Sequence, residues 1–298
     1  MRLGYFPGCS LSGTAKEFDL STLAVAPLLG FSLEEIRDWN CCGATSAHAT
    51  NHLLSIALPS RNLAIAESQG ITRILAPCAA CFNRLSSARN QVGSDAGLAA
   101  RISEIIEYPP GKFPEVISVV QLLRDLIPTL REKISQPLQG MKVACYYGCL
   151  LLRPSEVCAF DDPEDPTSME EVVRELGAEP VSWPMRLECC GGGFSLCRMA
   201  SVVRLGREIL ASAQAAGADT VVVACPMCQS NLDFRQQAIS ASMDSPVRLP
   251  ILYLTQLVGM ALGLKDRDLG FSGHYVNPSS LLDRITRAPV VVKTSEVA

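Results

Sequence analysis

The segment Lys142-Val143-Ala144-Cys145-Tyr146-Tyr147-Gly148-Cys149 runs from a short apolar stretch into a glycine and a cysteine. The stretch over residues 143–147 predicts a buried strand, and the glycine predicts a turn that leaves the last cysteine at the strand's carboxyl end. Near the amino terminus, an apolar run over residues 3–6 leads into Pro7-Gly8-Cys9 in the same manner. This similarity predicts that the chain contains two copies of one structural unit.

Cysteines extend the repeat along both copies. Each copy has a single cysteine, then an adjacent pair followed by glycine, then two cysteines separated by two residues. The first copy comprises Cys9, Cys41-Cys42-Gly43 and Cys78-Ala79-Ala80-Cys81. The second copy comprises Cys149, Cys189-Cys190-Gly191 and Cys225-Pro226-Met227-Cys228. Ten of the 13 cysteines therefore belong to one double pattern.

Strands and helices are predicted to alternate around these cysteines. Apolar runs over residues 71–77 and 220–224 precede the two Cys-x-x-Cys motifs and predict buried strands. Residues 53–69 and 202–216 carry apolar side chains at helical spacing, and each stretch ends near a glycine that suits a helix stop. The alternation predicts an α/β fold of two pseudo-symmetric βαβ units, each with a parallel-rich sheet flanked by helices. The cysteines are then expected at the carboxyl ends of the strands.

The pattern breaks between residues 132 and 140, where Ser135, Pro137 and Gly140 interrupt it. We therefore expect a first cysteine-rich domain over residues 1–136 and a second over residues 137–298. Beyond Gly270 the periodicity is weak, and this tail is expected to wrap the surface.

Composition narrows the class of protein. The 298 residues are 48% hydrophobic and only 19% charged, which supports a sizeable core and excludes a disordered or fibrous chain. A net charge of −4 gives no basis for nucleic-acid binding. The longest apolar stretches fall short of the roughly 20 residues of a membrane span, and an early Gly/Pro turn breaks up any secretory signal. We expect a cytoplasmic protein without a direct membrane span.

Thirteen cysteines in a reducing compartment indicate metal or redox chemistry rather than disulfides. A structural zinc site takes four ligands, whereas each copy offers five thiols, two of them adjacent in sequence. An iron–sulfur cluster spreads thiolates over several irons and fits this count better. Soft thiolates bind both zinc and iron–sulfur centres, and a thioredoxin-like dithiol also follows a strand, so zinc and bare thiols stay open as alternatives.

Glycines beside the cysteines are the second class of predicted site residue. A thiolate-bound cluster is negatively charged, so backbone N–H groups near it would stabilise it. Glycine lets the backbone approach closely, and plain turn geometry is the alternative explanation for these positions. The predicted cofactor-binding glycines are Gly8, Gly43, Gly148, Gly191 and Gly192, with Gly193 beside them.

The doubled pattern resembles the cysteine-rich CCG domains of the B-type subunits of heterodisulfide reductases. The resemblance extends to residues 142–149, 152–154, 160–166, 189–193, 225–229 and 252–257. It implies two non-cubane [4Fe-4S] clusters that cleave or form a disulfide reversibly between the two units. The implied ligands are Cys9, Cys41, Cys42, Cys78 and Cys81 for one cluster, and Cys149, Cys189, Cys190, Cys225 and Cys228 for the other.

The resemblance also implies partners: a ferredoxin-like iron–sulfur subunit, a flavin-containing subunit and a small thiol or disulfide substrate. Methanogenic relatives typically carry histidines where this chain has Tyr146 and Leu150, which leaves the substrate open. One alternative is a sulfur-oxidising complex that acts on a thiol or persulfide, such as one bound to a lipoyl-type carrier. Others are a CCG protein that passes electrons to a quinone or partner, and a zinc-stabilised assembly module.

Several residues outside the repeat are candidates for minor roles. Cys145 shares a strand face with Cys149, although a small buried hydrophobe is the favoured interpretation, and Cys158 and Cys197 are interpreted as structural. His48 and His52 are expected on one face of a helix near the first set, with proton delivery less favoured than a solvated pair. Three arginines near the second copy could bind an anionic substrate or could be plain surface charges: Arg153, Arg186 and Arg198. Four acidic residues are predicted to form a structured turn: Asp161, Asp162, Glu164 and Asp165.

Overall fold

Two four-stranded sheets form the framework of the chain. The computed structural model describes residues 1–44, 47–109, 111–279 and 281, without the side chain of His48. In the first half the strands are β1 (Arg2–Tyr5), β2 (Ser32–Glu35), β3 (Arg73–Ala76) and β4 (Glu115–Ser118). In the second half they are β5 (Lys142–Tyr146), β6 (Glu179–Pro180), β7 (Thr220–Val223) and β8 (Ile251–Tyr253).

Both sheets have the same topology. The strand orders are β2-β1-β3-β4 and β6-β5-β7-β8, and every pair of neighbours is parallel. In each sheet the chain moves to one side after its first strand and to the other side after its second. The first and third strands are therefore neighbours at the switch point, where open α/β sheets form crevices.

Helices connect the strands. In the first half they are α1 (Gly8–Leu11), α2 (Lys16–Leu28), α3 (Ala47–Thr50), α4 (His52–Ser68), α5 (Ala79–Ser94), α6 (Ala96–Ile106), α7 (Val119–Asp125) and α8 (Ile127–Lys133). In the second half they are α9 (Ser168–Glu175), α10 (Met199–Ala215), α11 (Pro226–Leu232), α12 (Gln236–Ser240), α13 (Leu254–Ala261) and α14 (Asp266–Leu269). Short 3₁₀ turns cover Pro184–Leu187, Gly192–Phe194 and Phe271–Gly273.

The structure confirms the predicted fold class, with two repeats of parallel strands flanked by helices. The four predicted strands correspond to β1, β3, β5 and β7, and the two predicted helices to α4 and α10. Gly70 and Gly217 follow these helices with φ of 74° and 73°, a conformation that stops a helix and that glycine adopts without strain.

Helices of the two halves pack against each other. Helix α13, which follows the last strand of the second half, packs on α2 of the first half. In the symmetric contact, α7 of the first half packs on α9 of the second. At the first of these contacts, the rings of Phe18 and Tyr253 stack with centroids 4.1 Å apart, and Ser21 and Thr255 share a 2.7 Å hydrogen bond. The pseudo-symmetric contacts bury one continuous apolar core.

The connection between the halves lies close to the second half. The backbone N–H groups of Ser135 and Gln136 donate to the Ala261 carbonyl, and the N–H of Leu138 donates to the Leu176 carbonyl. The division into residues 1–136 and 137–298 stays a prediction.

The segment after Gly270 differs from the expected surface tail. Phe271, His274 and Val276 are buried, and the segment packs on α2. Part of it, including Pro289, lies outside the described residues. No helix in the described part of the chain is long and apolar enough to cross a membrane.

Candidate redox site at the junction of the two sheets

The predicted ligand cysteines stand at the carboxyl ends of the strands. Cys9 lies in α1 just after β1, and Cys78 lies between β3 and the start of α5. Cys149 and Cys225 have the corresponding places after β5 and β7. Because the first and third strands of each sheet are neighbours, these turns bring distant parts of the sequence together.

The thiols of the first copy form a connected group, which we call the first set: Cys9, Cys41, Cys42, Cys78 and Cys81. The sulfur atoms of Cys9 and Cys41 are 4.0 Å apart, and those of Cys42 and Cys81 are 3.4 Å apart. Hydrogen bonds also link Cys41 to Cys42 and Cys78 to Cys81. Cys9 and Cys41 are exposed, whereas the other three are buried.

The second copy repeats the arrangement in what we call the second set: Cys149, Cys189, Cys190, Cys225 and Cys228. The sulfurs of Cys149 and Cys189 are 3.9 Å apart, and those of Cys190 and Cys228 are 3.5 Å apart. Cys225 is hydrogen bonded to Cys228. Cys189 is exposed and Cys149 partly so, which again leaves one edge of the set open to solvent.

The two sets meet at the centre of the molecule. The thiols of Cys78 and Cys225 are hydrogen bonded to each other, and both side chains are buried. Beside them, the backbone N–H of Ala79 donates to the carbonyl of Ala224 at 3.1 Å. The two Cys-x-x-Cys motifs therefore contact each other across the pseudo-symmetry axis, an arrangement that the sequence repeat alone did not predict.

Hydrogen bonds between thiols separate their pKa values. Hydrogen bonding with Cys41 and then with Cys81 lowers the pKa of Cys42 to about 4, and hydrogen bonding with Cys149 lowers that of Cys189 to about 6. The partner Cys41 has a raised pKa, because its proton is held by Cys42 and because it is partly buried. Each set thus contains a thiol that readily becomes a thiolate, the form that binds metal.

The predicted glycines lie against the sulfurs. The backbone N–H of Gly43 donates to the sulfur of Cys41, and that of Gly191 donates to the sulfur of Cys189, each at 3.4 Å. At Gly8 and Gly148, with φ of 63° and 65°, an added Cβ would lie 2.9 Å from the sulfur of Cys81 and 3.3 Å from that of Cys228 respectively. Gly192 and Gly193 are not strained, and a Cβ at Gly192 would meet the sulfur of Cys190 at 3.8 Å.

Two buried asparagines, which we did not single out from the sequence, anchor the adjacent cysteine pairs. The amide of Asn62 on α4 accepts from the N–H of Asn40 at 2.8 Å and donates to the Asn40 carbonyl at 2.9 Å. In the second half, Asn231 on α11 donates to the Cys190 carbonyl at 3.1 Å. A lone asparagine inside an apolar helix face was the available signal, since a buried amide needs partners.

The other three cysteines do not join either set. Cys145 is fully buried and its raised pKa comes mainly from burial, as expected of a small hydrophobe. Cys158 is buried beside Asn83, whose amide donates to the Leu150 carbonyl at 3.0 Å, and burial raises the pKa of its thiol to about 11. Cys197 is exposed and near the Gly193 carbonyl.

The structure corrects the expectation for the two histidines. They do not share a helix, because Asn51 between them is extended, with φ of −152°, and separates α3 from α4. Asn51 caps α4 by accepting from the Leu54 N–H at 3.0 Å. Asparagine is a favoured cap residue, so the sequence did contain this signal. His52 is exposed, and the side chain of His48 lies outside the described residues.

Two of the three arginines that were candidates for binding an anionic substrate are paired with acidic side chains instead. Arg153 pairs with Glu164 at 3.0 Å, and Arg186 pairs with Asp165 and with Glu170. The acidic segment forms a structured turn, since Asp162 accepts from the N–H groups of Glu164 and Asp165. The guanidinium groups of Arg153 and Arg186 both contact this turn. Arg198 is exposed.

The chemistry of the donors fits an iron–sulfur core. Each set supplies five soft sulfur donors from one compact group, one more than a tetrahedral ion takes. Within the described residues, no three Cys, His, Asp or Glu side chains are placed to hold a single metal ion. A separate cavity of about 460 Å³ lies between α5, α6 and the loop at Tyr108, and none of the ten cysteines lines it.

Comparison with known proteins agrees with the repeat. A family model described as "CCG: Cysteine-rich domain" matches residues 3–86 and 143–233. The 8-methylmenaquinol:fumarate reductase membrane anchor subunit of Wolinella succinogenes is 35% identical over 280 residues, which cover 93% of this chain and 98% of the relative. The B-type subunit of the ferredoxin/F(420)H(2)-dependent CoB-CoM heterodisulfide reductase of Methanosarcina acetivorans is 27% identical over 292 residues, which cover 95% and 97%.

One solved structure shares the fold. It is the crystal structure of a hypothetical protein from Helicobacter pylori, with a TM-score of 0.74 and 12% sequence identity. The match covers 93% of this chain and 52% of that one. The sequence relatives are named as subunits of oxidoreductase complexes of the heterodisulfide reductase or fumarate reductase type.

Proposed function

Because this chain belongs to the CCG cysteine-rich family, we propose that its two sets of cysteines bind two [4Fe-4S] clusters of non-cubane type within an oxidoreductase complex. Each set would act as the ligands of one cluster, with Gly8 and Gly43 supporting the first and Gly148, Gly191 and Gly192 supporting the second. When bound, such a cluster supplies one-electron chemistry at its sulfur-ligated irons.

The contact between Cys78 and Cys225 is the observation that carries the proposal. It supports two one-electron centres side by side at one point of the molecule. Two adjacent one-electron centres could together supply the electrons for cleavage of a disulfide: R–S–S–R′, two electrons and two protons give R–SH and R′–SH. The proposed activity is therefore reversible disulfide cleavage or formation, in a heterodisulfide reductase-type complex.

The electrons would come from partner subunits. The sequence carries neither the Gly-x-Gly-x-x-Gly fingerprint nor a ferredoxin-like cysteine run. A ferredoxin-like iron–sulfur subunit fed by a flavin-containing subunit fits this need. All 13 cysteines are free thiols, which suits the reducing cytoplasm, and we propose that location for the chain.

A second candidate function is electron exchange with a quinol, in which a quinol gives a quinone, two electrons and two protons. The 35% identity with a relative named for 8-methylmenaquinol favours it. So does an apolar rim beside the second set, formed by Phe194, Leu196, Met199 and Phe234, of which Leu196 is fully exposed. Arg235, next to Phe234, donates to the Ser195 carbonyl at 2.8 Å and contacts the sulfur of Met199, also at 2.8 Å.

Paramagnetic resonance on the anaerobically purified protein separates the candidates. One set of samples is treated with a chemical oxidant in the presence of each of a series of thiols, free and bound to a lipoyl-type carrier. A parallel sample of the oxidised protein is mixed with a menaquinol as the reductant. The disulfide proposal predicts a new signal with one thiol and none with the quinol. If every thiol is silent while the quinol reduces the centres, the second candidate replaces it.

Two exposed cysteines provide a matched pair of variants. Cys189→Ser removes an exposed member of the second set, whereas Cys197→Ser removes an exposed thiol eight residues later that belongs to neither set. We expect the thiol-dependent signal to disappear in the first variant and to persist in the second. Equal signals in both variants would contradict the ligand assignment.

A further inference from the structure

A buried glutamate lies at the contact between the halves. Glu17, in the first turn of α2, is only 6% exposed. The segment that follows α14 has glycines at the two positions where a side chain would clash with Glu17. An added Cβ at Gly270 would lie 2.7 Å from Glu17 Cβ, and one at Gly273 would lie 3.1 Å from its Oε2. The carboxyl group is therefore enclosed by residues of both halves.

Tyr253 is the residue that faces this carboxyl group. Its ring is fully buried at the end of β8 and is oriented by stacking on Phe18. The Tyr253 hydroxyl acts on the carboxyl group of Glu17 and favours its charged form. Among the described residues, neither the hydroxyl nor Glu17 Oε1 has a hydrogen bond of regular geometry. A buried pair whose contact falls short of a regular hydrogen bond is costly for stability, which indicates a role beyond packing.

The same hydroxyl is close to the centre of the redox site. After burial and the charge of Glu17, the thiols of Cys225, Cys78 and Cys228 are what raise the pKa of Tyr253. In the second sheet, Tyr253 is the register partner of Val223 on β7, two residues before Cys225. Tyr253 therefore lies beside the strand end from which the contact between the two sets is made, and its hydroxyl also faces Glu17. Burial also raises the pKa of Glu17, so this carboxyl holds its proton at higher pH than an exposed glutamate does.

We propose that Glu17 delivers protons through the Tyr253 hydroxyl to the thiolate product released where the first and second sets meet. This inference rests on the proposed disulfide chemistry. Two electrons supplied by the iron–sulfur partner cleave the S–S bond and leave two thiolates. The Tyr253 hydroxyl gives its proton to one thiolate and takes one from the Glu17 carboxyl, which regains a proton from water. One passage supplies one of the two protons that the reaction consumes.

Other charged groups near α2 have separate partners or lie at the surface. Asp233 is buried and raises the pKa of Glu17, while it accepts from the N–H groups of Tyr275 and Val276. His274 packs edge-on against Tyr253 and hydrogen bonds with Gln256. The raised pKa of Glu17 comes first from burial. The remaining charged or titratable groups on α2 and on the elements packed against it are Lys16, Asp19, Glu34, Glu35, Asp266, Arg267, Asp268 and Cys9.

The test compares Glu17→Gln, Glu17→Asp and Tyr253→Phe in the assembled, iron-loaded complex. We expect Glu17→Gln and Tyr253→Phe to lower turnover by roughly 100-fold, the usual scale of general acid catalysis, and Glu17→Asp to recover part of the loss. In the wild type the rate should fall as pH rises through the pKa of Glu17. That dependence should vanish in Glu17→Gln.

Glu170→Gln is the matched control. Glu170 is 7% exposed and accepts from the hydroxyl of Tyr147, but it faces Cys145 rather than either set. The control should keep the wild-type pH profile. If Glu17→Gln instead keeps the wild-type rate and profile, or loses iron so that its role is structural, the proposal is wrong.

Infrared spectroscopy gives a readout that does not depend on turnover. The carbonyl band of the protonated, buried Glu17 carboxyl should persist to a higher pH than that of an exposed glutamate, disappear in Glu17→Gln and shift in Tyr253→Phe. If the wild type cleaves no disulfide, the proposed function fails, and the infrared band then decides this inference alone. A band that is absent, or unaffected by Tyr253→Phe, would overturn it.

Discussion

The first and second sets are nearly equal in their sulfur contacts and different in what supports them. The sulfurs of Cys42 and Cys81 are 3.4 Å apart and those of Cys9 and Cys41 4.0 Å apart, compared with 3.5 Å and 3.9 Å for the matching pairs of the second set. The adjacent cysteines of the first set are anchored by Asn62 on the helix before the third strand. Those of the second set are anchored by Asn231 on the helix after it. The duplicated cysteines have thus kept their geometry while their supports have diverged.

Tyrosines before the two glycine turns show the same divergence. The Tyr146 hydroxyl donates to the backbone carbonyl of Glu188, directly before Cys189, at 2.5 Å. In the first half Phe6, which has no hydroxyl, holds the corresponding place two residues before Gly8. The hydroxyl of the preceding Tyr5 donates at the same distance to the carboxyl group of Asp19 on α2. Because each set has supports of its own, one set can be disturbed while the other stays intact.

The largest effect is expected from Asn62→Ala. It removes both partners of the Asn40 backbone, and leaving such groups unsatisfied costs about 4 kcal/mol of unfolding free energy. Chemical denaturation measures this, and iron analysis should show loss from the first set alone, with Asn231→Ala affecting the second set. Asn90→Ala, at an exposed position of α5, is the control. Equal iron loss from both sets in Asn62→Ala would contradict independent support.

Alanine at the two glycine turns should have unequal effects. Both positions have positive φ, which costs an L-residue about 1 kcal/mol. Gly8→Ala also brings a Cβ within 2.9 Å of the Cys81 sulfur, compared with 3.3 Å for Gly148→Ala and Cys228. We expect unfolding free energies lower by about 3 kcal/mol and about 1 kcal/mol respectively, measured by denaturation. A larger loss of unfolding free energy in Gly148→Ala than in Gly8→Ala would contradict the idea that the distance from the added Cβ to the sulfur decides the cost.

The C-terminal segment, present only in the second half, should make stability depend on pH. Burial lowers the pKa of His274 to about 4, so the unfolded state binds more protons between pH 6.5 and 4. The folded state therefore loses stability as pH falls, by about 2 kcal/mol at pH 5. The difference in unfolding free energy between wild type and His274→Gln should shrink by this amount from pH 7 to pH 5.

Comparing the two proteins at each pH removes the opposite effect of Asp233. Burial raises the pKa of that carboxyl to about 6, so its contribution to stability is lost as pH rises toward 6. A difference between wild type and His274→Gln that does not change with pH would mean that His274 titrates normally.

The smallest effect is expected from the tyrosine pair. Tyr146→Phe removes one hydrogen bond to a backbone carbonyl and should cost about 1 kcal/mol of unfolding free energy. Tyr5→Phe removes the hydrogen bond that lowers the pKa of Asp19, so that pKa should rise. Denaturation and NMR titration of Asp19 measure these changes. An unchanged Asp19 titration in Tyr5→Phe would contradict the assignment of Asp19 as the partner of the Tyr5 hydroxyl.

Buried central strands and the cysteine repeat could be predicted because each leaves a local pattern in the sequence. The runs before Cys9, Cys78, Cys149 and Cys225 are apolar along their length and became β1, β3, β5 and β7. All four edge strands were missed: β2 is only partly buried, and β6 has two residues, one of them a proline. The other two, β4 and β8, are largely buried but have only four and three residues, which is too short a run to stand out as a strand.

Contacts between the halves could not be predicted from local patterns. Glu17 and Tyr253 meet only because α2 packs on α13, and nothing near either residue indicates the other. The same holds for Cys78 and Cys225, whose contact depends on how two similar units pair. The break at Asn51 could have been predicted, because asparagine is a favoured helix cap. The prediction was wrong because it relied on the helical spacing of His48 and His52 instead.

Iron and acid-labile sulfide analysis of the anaerobically purified chain tests the central claim most directly. Two occupied sets predict about eight irons and about eight sulfides per chain, falling to about four in either Cys81→Ser or Cys228→Ser. One or two zinc ions per chain without iron would contradict the account.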